Sequence, residues 1–218
     1  MFKDLNAAFE LYRERDPAIK TKWDVLLYPC YSAIKTYRKA HKLWESGHYF
    51  RARYLSQRAA RRTGIEIHPG ATIGEGLFID HGHGVVIGET TIIGDNVTLY
   101  QGVTLGGTGK ESGKRHPTLM DGVMVSAGAK VLGSITIGEN SKIGAGSVVL
   151  SDVPANSTVV GIPGRIVRQN NKTIPRETMD QMHLPDPVLT DLKRLAQDNC
   201  RMQRRMDEME KQNRERKG

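Results

Sequence analysis

Residues 64–105 read GIEIHPGATIGEGLFIDHGHGVVIGETTIIGDNVTLYQGVTL, and an aliphatic residue recurs through them at nearly every sixth position. The series runs Ile67, Ile73, Ile79, Ile87, Ile93, Leu99 and Leu105, then resumes as Val125, Val131, Ile137, Ile143 and Val149. A six-residue period fits neither the 3.6-residue turn of a helix nor the two-residue alternation of hairpin strands. It is the pattern of a parallel β-helix, in which each hexapeptide forms one short flat side and its aliphatic residue points inward. Three hexapeptides make a triangular coil, and successive coils stack about 4.8 Å apart through parallel hydrogen bonds. Glycine often follows the aliphatic residue (Gly74, Gly88, Gly94, Gly106, Gly138, Gly144), where corner backbone angles and close packing are expected. A regular solenoid has little reason to break its rhythm, so its two interruptions are where chemistry is expected. The first adds two residues between Ile79 and Ile87. The second, between Leu105 and Val125, holds GGTGKESGKRHPTLMDG, whose glycines, charges and proline suit an extruded loop.

Outward from the repeat, residues 1–64 read as helical. Leu5, Phe9 and Tyr12 have helical spacing, and Asp16-Pro17 looks like the start of a second helix, with Asp as N-cap. Tyr28-Pro29 breaks that helix, a third runs on to Gly47, and a basic helix from about His48 to Arg62 stops at Gly64. After Val149 the rhythm fades through SDVPANSTVVGIPGRIV, which is expected to cap the open end. In the tail, Leu192, Leu195, Asn199, Met202, Met206, Met209 and Asn213 alternate by threes and fours, the spacing of a coiled coil or of a surface helix.

Hydrophobic residues make up only 38% of the 218 residues, which suits a solenoid that buries one inward column per face. No run of eighteen apolar residues and no signal-peptide core is present, and Cys30 and Cys200 form no spaced pair. A cytoplasmic protein with reduced thiols, outside the membrane, is expected. The net charge is +8, and residues 35–62 carry nine Lys or Arg against the single acid Glu45. No aromatic platform or DNA-reading motif accompanies them, so a solvated helix face is expected rather than a nucleic-acid surface. Such a face can also steer an anionic cofactor.

The blocks GIEIHPGATIGEGLFIDHGHGVVIGET (64–90), TLYQGVTLGGTGKESGKRHP (98–117), AGAKVLGSITIG (127–138) and IGAGSVVL (143–150) resemble bacterial and plant serine O-acetyltransferases. The resemblance covers about residues 12–168 and implies an α + β protein. Its parts are an N-terminal helical region (1–64), a left-handed parallel β-helix carrying catalysis (65–168), and a linker with a charged helical or coiled-coil tail (169–218). It implies transfer of an acetyl group from acetyl-CoA, a cosubstrate rather than a bound cofactor, to L-serine in cysteine biosynthesis. L-cysteine is the implied feedback inhibitor. A homotrimer is implied because the family's cofactor groove lies between subunits. A dimer of trimers stays open, since the helical region is shorter than in long enterobacterial forms. The chain ends Arg-Lys-Gly, whereas members that dock into cysteine synthase typically end in isoleucine, so docking through this terminus is not expected.

The chemistry agrees with the residues. A serine hydroxyl needs a general base, and imidazole titrates near working pH. His81, in the first interruption, matches the family's catalytic histidine. The carboxylate that orients it is an aspartate in the family and Glu66 here, one methylene longer. Arg115 offers a planar fork for the substrate carboxylate, beside His116, which binds substrate or shares acid–base work. Asp80 and Asp16 match the family's partners for the amino group, and Asp16 is also a natural N-cap. Gly106 and Gly107 would let the backbone approach the pantetheine arm. Ala127 and Ala145 match small positions in the cofactor groove, and Lys142 is placed to reach a phosphate. No metal is expected. The competing readings are a hexapeptide acetyltransferase acting on a sugar or xenobiotic hydroxyl, a γ-type carbonic anhydrase using His68, His81, His83 and His116 as zinc ligands, and a noncatalytic scaffold.

Overall fold

The computed structural model describes residues 2–109, 112–170, 195–199, 201–203, 205–206 and 209. Three α-helices come first: α1 (Phe2–Arg13), α2 (Pro29–Glu45) and α3 (Tyr49–Thr63). Proline opens α2, where its missing N–H would have had no helical partner. Gly64 closes α3 in the left-handed region at φ +72°, its N–H bonded to Ala60 O. The helix expected from Asp16-Pro17 does not form. Asp16 Oδ1 instead accepts the Ala18 N–H at 2.8 Å, and Asp24 accepts the N–H groups of Lys20 and Thr21 at 2.9 and 2.8 Å. These side chains offer the backbone local partners in place of helical ones, and only a 3-10 turn at Asp24–Leu27 follows.

The solenoid then winds through parallel strands, three to a coil. The first coil holds β1 (Ile65–Ile67), β2 (Thr72–Ile73) and β3 (Phe78–Ile79). The second holds β4 (Val85–Ile87), β5 (Ile92–Ile93) and β6 (Thr98–Leu99), and the third β7 (Thr104–Gly106), β8 (Thr118–Leu119) and β9 (Met124–Val125). The fourth holds β10 (Lys130–Leu132), β11 (Thr136–Ile137) and β12 (Lys142–Ile143), and the last β13 (Val148–Val149) and β14 (Ser157–Val160). Face one is β1-β4-β7-β10-β13, face two β2-β5-β8-β11, and face three β3-β6-β9-β12-β14. This is the left-handed parallel β-helix that the six-residue period implies.

Register explains the period. On face one Ile67, Ile87, Leu105, Val131 and Val149 stand in one ladder. Face two aligns Ile73, Ile93, Leu119 and Ile137, and face three Ile79, Leu99, Val125, Ile143 and Val159. Every member except the partly covered Ile73 is buried, and burying each such side chain contributes about 1.5–3 kcal/mol. Leu119 corrects the sequence reading, which placed it inside the extruded loop. It is the missing face-two position of the third coil, so the loop is confined to residues 107–117.

The corner glycines also need a correction. Those directly after the aliphatic positions have ordinary φ, and they are small because space is lacking: a Cβ on Gly94 would strike Asp121, and one on Gly138 the Pro154–Ala155 backbone. Left-handed angles belong to other columns, Gly84, Gly102, Gly128 and Gly146 at φ +67° to +76°, and Gly76, Asn96, Gly122, Asn140 and Asn156 at φ +55° to +71°.

Both ends of the solenoid are covered. At the first coil α2 and α3 lie against β1, and Leu5, Tyr12, Val25, Cys30 and Tyr37 join the solenoid core. At the last coil β15 (Arg165–Gln169) runs antiparallel to β14. There Val153 bridges Ile137, and Val148 bonds to Gly161 and Gly164. The tail belongs to a second compact unit. Its described residues are helical, with Leu195, Met202, Met206 and Met209 exposed, while Leu192, Cys200 and Asn213 lie outside the described residues. Among the described residues no helix is long and apolar enough to cross a membrane.

Candidate active site

The two interruptions emerge at different edges of the prism, one on each side of face one. Asp80 and His81 turn the corner from face three into face one. His81 takes φ +56°, and its side chain is 72% exposed against 16% for Asp80. His81 Nε2 lies 4.0 Å from Asp80 Oδ2, beyond hydrogen-bond reach. Burial raises the Asp80 carboxyl above its usual range, Asp16 adds to that rise, and His81 opposes it. Asp16 therefore stands near Asp80, so the helical region and the solenoid supply one carboxylate each. Glu66 faces outward from β1, two residues past Gly64, whose carbonyl accepts the Gly84 N–H at this corner. Among the described residues no hydrogen bond joins Glu66 to His81.

Cys30 lies buried beneath this edge, its Sγ accepting the Ile79 N–H at 3.2 Å. Burial pushes its thiol up to about 11, which leaves it a poor nucleophile.

The other edge, between faces one and two, carries the loop. Thr90 organises it. Its hydroxyl oxygen accepts the N–H groups of Arg115 and His116 at 3.0 and 3.1 Å and lies 2.9 Å from His116 Nδ1. The Thr90 N–H also points at Nδ1, at 3.2 Å. An N–H can only donate, so Nδ1 is the acceptor and the neutral ring carries its proton on Nε2. Burial lowers the His116 pKa, and Arg115 lowers it further, which favours that neutral form. His116 is thereby a fixed donor directed past Gly107. Glu89 holds the Arg115 guanidinium at 2.5 Å. His68 joins the same cluster, its pKa lowered to about 4 by burial and then by Arg53.

The expected cofactor residues divide in the same way. Gly106 ends β7, and Gly107 follows it beside Arg115 and His116. Ala127 and Ala145 sit on the His81 edge, in the column His83–Gln101–Ala127–Ala145 defined by the N–H groups of Gly102, Gly128 and Gly146. Lys142 begins β12, just before that edge. At about 3.3 Å per residue, β4 and its flanks hold the two edges on the order of 15 Å apart. The expected site residues of one chain thus stand in two separate groups. Among the described residues no group of three His, Cys, Asp or Glu side chains could hold a metal ion.

Glu89 and Thr90 escaped the sequence reading, because in an unbroken IGET corner nothing marks them as partners of a loop twenty-five residues away. Gly88 carries a clearer signal, since a Cβ there would fall on the His116 ring. Gly88→Ala is expected to expel that ring, lowering kcat/KM about 100-fold and stability by about 1–3 kcal/mol. Steady-state kinetics and thermal melts check both.

The β-helix places the chain among hexapeptide-repeat proteins, and the family model "Bacterial transferase hexapeptide (six repeats)" matches residues 116–151. The chain is 57% identical over 197 residues to the serine acetyltransferase of Bacillus subtilis, covering 90% of both chains. It belongs to the serine acetyltransferase family and is an acyltransferase. Solved relatives agree. The Neisseria gonorrhoeae serine acetyltransferase in complex with serine is 46% identical at a TM-score of 0.72, over 76% of this chain and 68% of that one. The Brucella abortus enzyme in complex with coenzyme A is 48% identical at a TM-score of 0.74, over 78% and 68%.

Proposed function

We propose that this chain transfers the acetyl group of acetyl-CoA to the hydroxyl of L-serine, releasing O-acetylserine and CoA. Each site would form where the His81 edge of one subunit meets the His116 edge of the next in a trimer. The observation that carries this reading is the separation of charge. Asp16 and Asp80 stand at one edge, and Arg115, held by Glu89, stands with the ring donor His116 at the other. A zwitterionic amino acid needs both, and it is far too small to bridge two edges of one chain. Exposed apolar residues support the pairing. Trp23 and Leu27, 54% and 82% exposed, lie between Asp16 and Tyr28 in the chain, while Phe50, 85% exposed, follows Tyr49, which packs through Trp44 onto His68. Two such patches at complementary edges suit a head-to-tail contact that closes into a ring.

In the reaction His81 takes the serine hydroxyl proton as the oxygen attacks the thioester carbonyl; Glu66, not bonded to His81 in the free chain, would orient it in the assembled site. Asp16 and Asp80 hold the ammonium, and Arg115 receives the carboxylate. His116, donating from Nε2, fixes the acceptor. A backbone N–H of a neighbouring coil meets the developing oxyanion. Collapse breaks the carbon–sulfur bond, and the histidinium returns its proton to the CoA thiolate. Gly106, Gly107, Ala127 and Ala145 leave room for the pantetheine arm, and Lys142 pairs with a phosphate. L-cysteine, which differs from serine by sulfur for oxygen, competes at the acceptor site. The test is CoA release with L-serine, with and without L-cysteine. Serine-dependent release suppressed competitively by cysteine supports the proposal. Release with sugar hydroxyls but not with serine overturns it.

A further inference from the structure

Tyr28 stands at the junction between the helical region and the His81 edge, and its phenol has no helix-capping role. It occupies the N-cap position of α2 yet makes no side-chain cap hydrogen bond. Its hydroxyl instead donates a short hydrogen bond to Asp16 Oδ2, while the Ala18 N–H occupies Oδ1. Both oxygens of Asp16 are therefore tied to its own segment. The ring that carries this hydroxyl is itself braced. Tyr28 meets Tyr12 edge-on at 5.5 Å, and Tyr12 meets Phe78 edge-on at 5.0 Å. Phe78 lies two residues before Asp80 on the same turn of chain. The contacts form a chain from Phe78, two residues before Asp80, through Tyr12 and Tyr28 to Asp16, whose charge is felt at Asp80.

We infer that Tyr28 is a positioning residue for the substrate ammonium: its hydroxyl, braced from Phe78 through Tyr12, fixes the spacing and aim of Asp16 against Asp80. This rests on the reading of Asp16 and Asp80 as the ammonium partners. Two neighbouring carboxylates repel, and without the Tyr28 hydroxyl Asp16 would keep only the Ala18 N–H, on a turn whose Pro17 and Ala18 are exposed. Burial and then the bond to Asp16 raise the Tyr28 pKa, so the phenol stays protonated and remains a donor. Phenylalanine would keep the aromatic circuit and remove only the donor.

The experiment compares Tyr28→Phe and Asp16→Asn with the wild-type enzyme. The probes are L-serine as substrate and 3-hydroxypropanoate, which has the hydroxyl and carboxylate but no ammonium, as a competitive inhibitor. Tyr28→Phe is expected to raise KM for L-serine about tenfold, the scale of one lost hydrogen bond to a charged group. The kcat, the KM for acetyl-CoA and the inhibition constant of 3-hydroxypropanoate should each stay within twofold. Equal weakening of serine and 3-hydroxypropanoate would mean general loosening of the site and would overturn the inference. So would an unchanged serine KM in Tyr28→Phe alongside a raised KM in Asp16→Asn, and that pattern would leave the ammonium reading standing. An unchanged KM in both variants would overturn the ammonium reading itself.

Discussion

His81→Ala is expected to fold and assemble as the wild type does while turning over about a thousandfold more slowly, within the 100- to 10,000-fold range of a lost general base. The side chain is mostly exposed, so little packing is lost with it. The backbone is the one structural risk, because His81 sits at φ +56° and alanine is strained there. His81→Asn removes that objection, since asparagine tolerates the left-handed region but cannot accept the hydroxyl proton. Both variants should retain the acetyl-CoA affinity and the assembled mass of the parent. Near wild-type turnover in His81→Asn would remove His81 as the base.

The second large effect comes from mixing. Arg115→Ala should lower kcat/KM for serine about 100-fold, because the substrate carboxylate would lose a bidentate charged partner. Each variant alone is nearly inactive, yet they damage opposite edges of face one. If every site joins the His81 edge of one subunit to the His116 edge of the next, a mixed trimer of His81→Asn and Arg115→Ala chains contains some sites with both halves intact. With equal and random mixing, about a quarter of the sites recover. The check is to dissociate and reassociate the two proteins together, then assay at serine below KM. Activity near one-quarter of wild type supports a shared site. No recovery in verified mixed trimers would place both halves in one chain and overturn the proposed pairing.

Much of this was legible beforehand, and what escaped did so for physical reasons. The aliphatic sixes specify the three inward columns, because register in a parallel coil is set by which residues can be buried. Leu119 was hidden because turn-forming composition surrounds it and the loop before it adds eight residues to the count. Once Leu119 is restored, counting sixes puts His81 after face three and His116 between faces one and two. The separation of the edges was therefore available from the sequence. The Asp16-Pro17 start carries every local helix signal, and it fails because Asp24, eight residues on, recruits the N–H groups that a helix would have used. Thr90 and Tyr28 could not be found by pattern. Each works through its hydroxyl on partners distant in sequence.

Stacked parallel coils have a hazard that the end coverings resolve. A coil that ends in open strand edges offers its hydrogen-bonding groups to the next molecule, and identical solenoids could then grow end to end as a fibre. Here α2 and α3 block the first coil, while β15, Val153 and the Gly161–Gly164 turn block the last. Longitudinal growth is closed off at both poles. Association is left to the sides of the prism, so the same stoppers that limit the length of the solenoid leave only sideways contacts of the kind the proposed trimer requires.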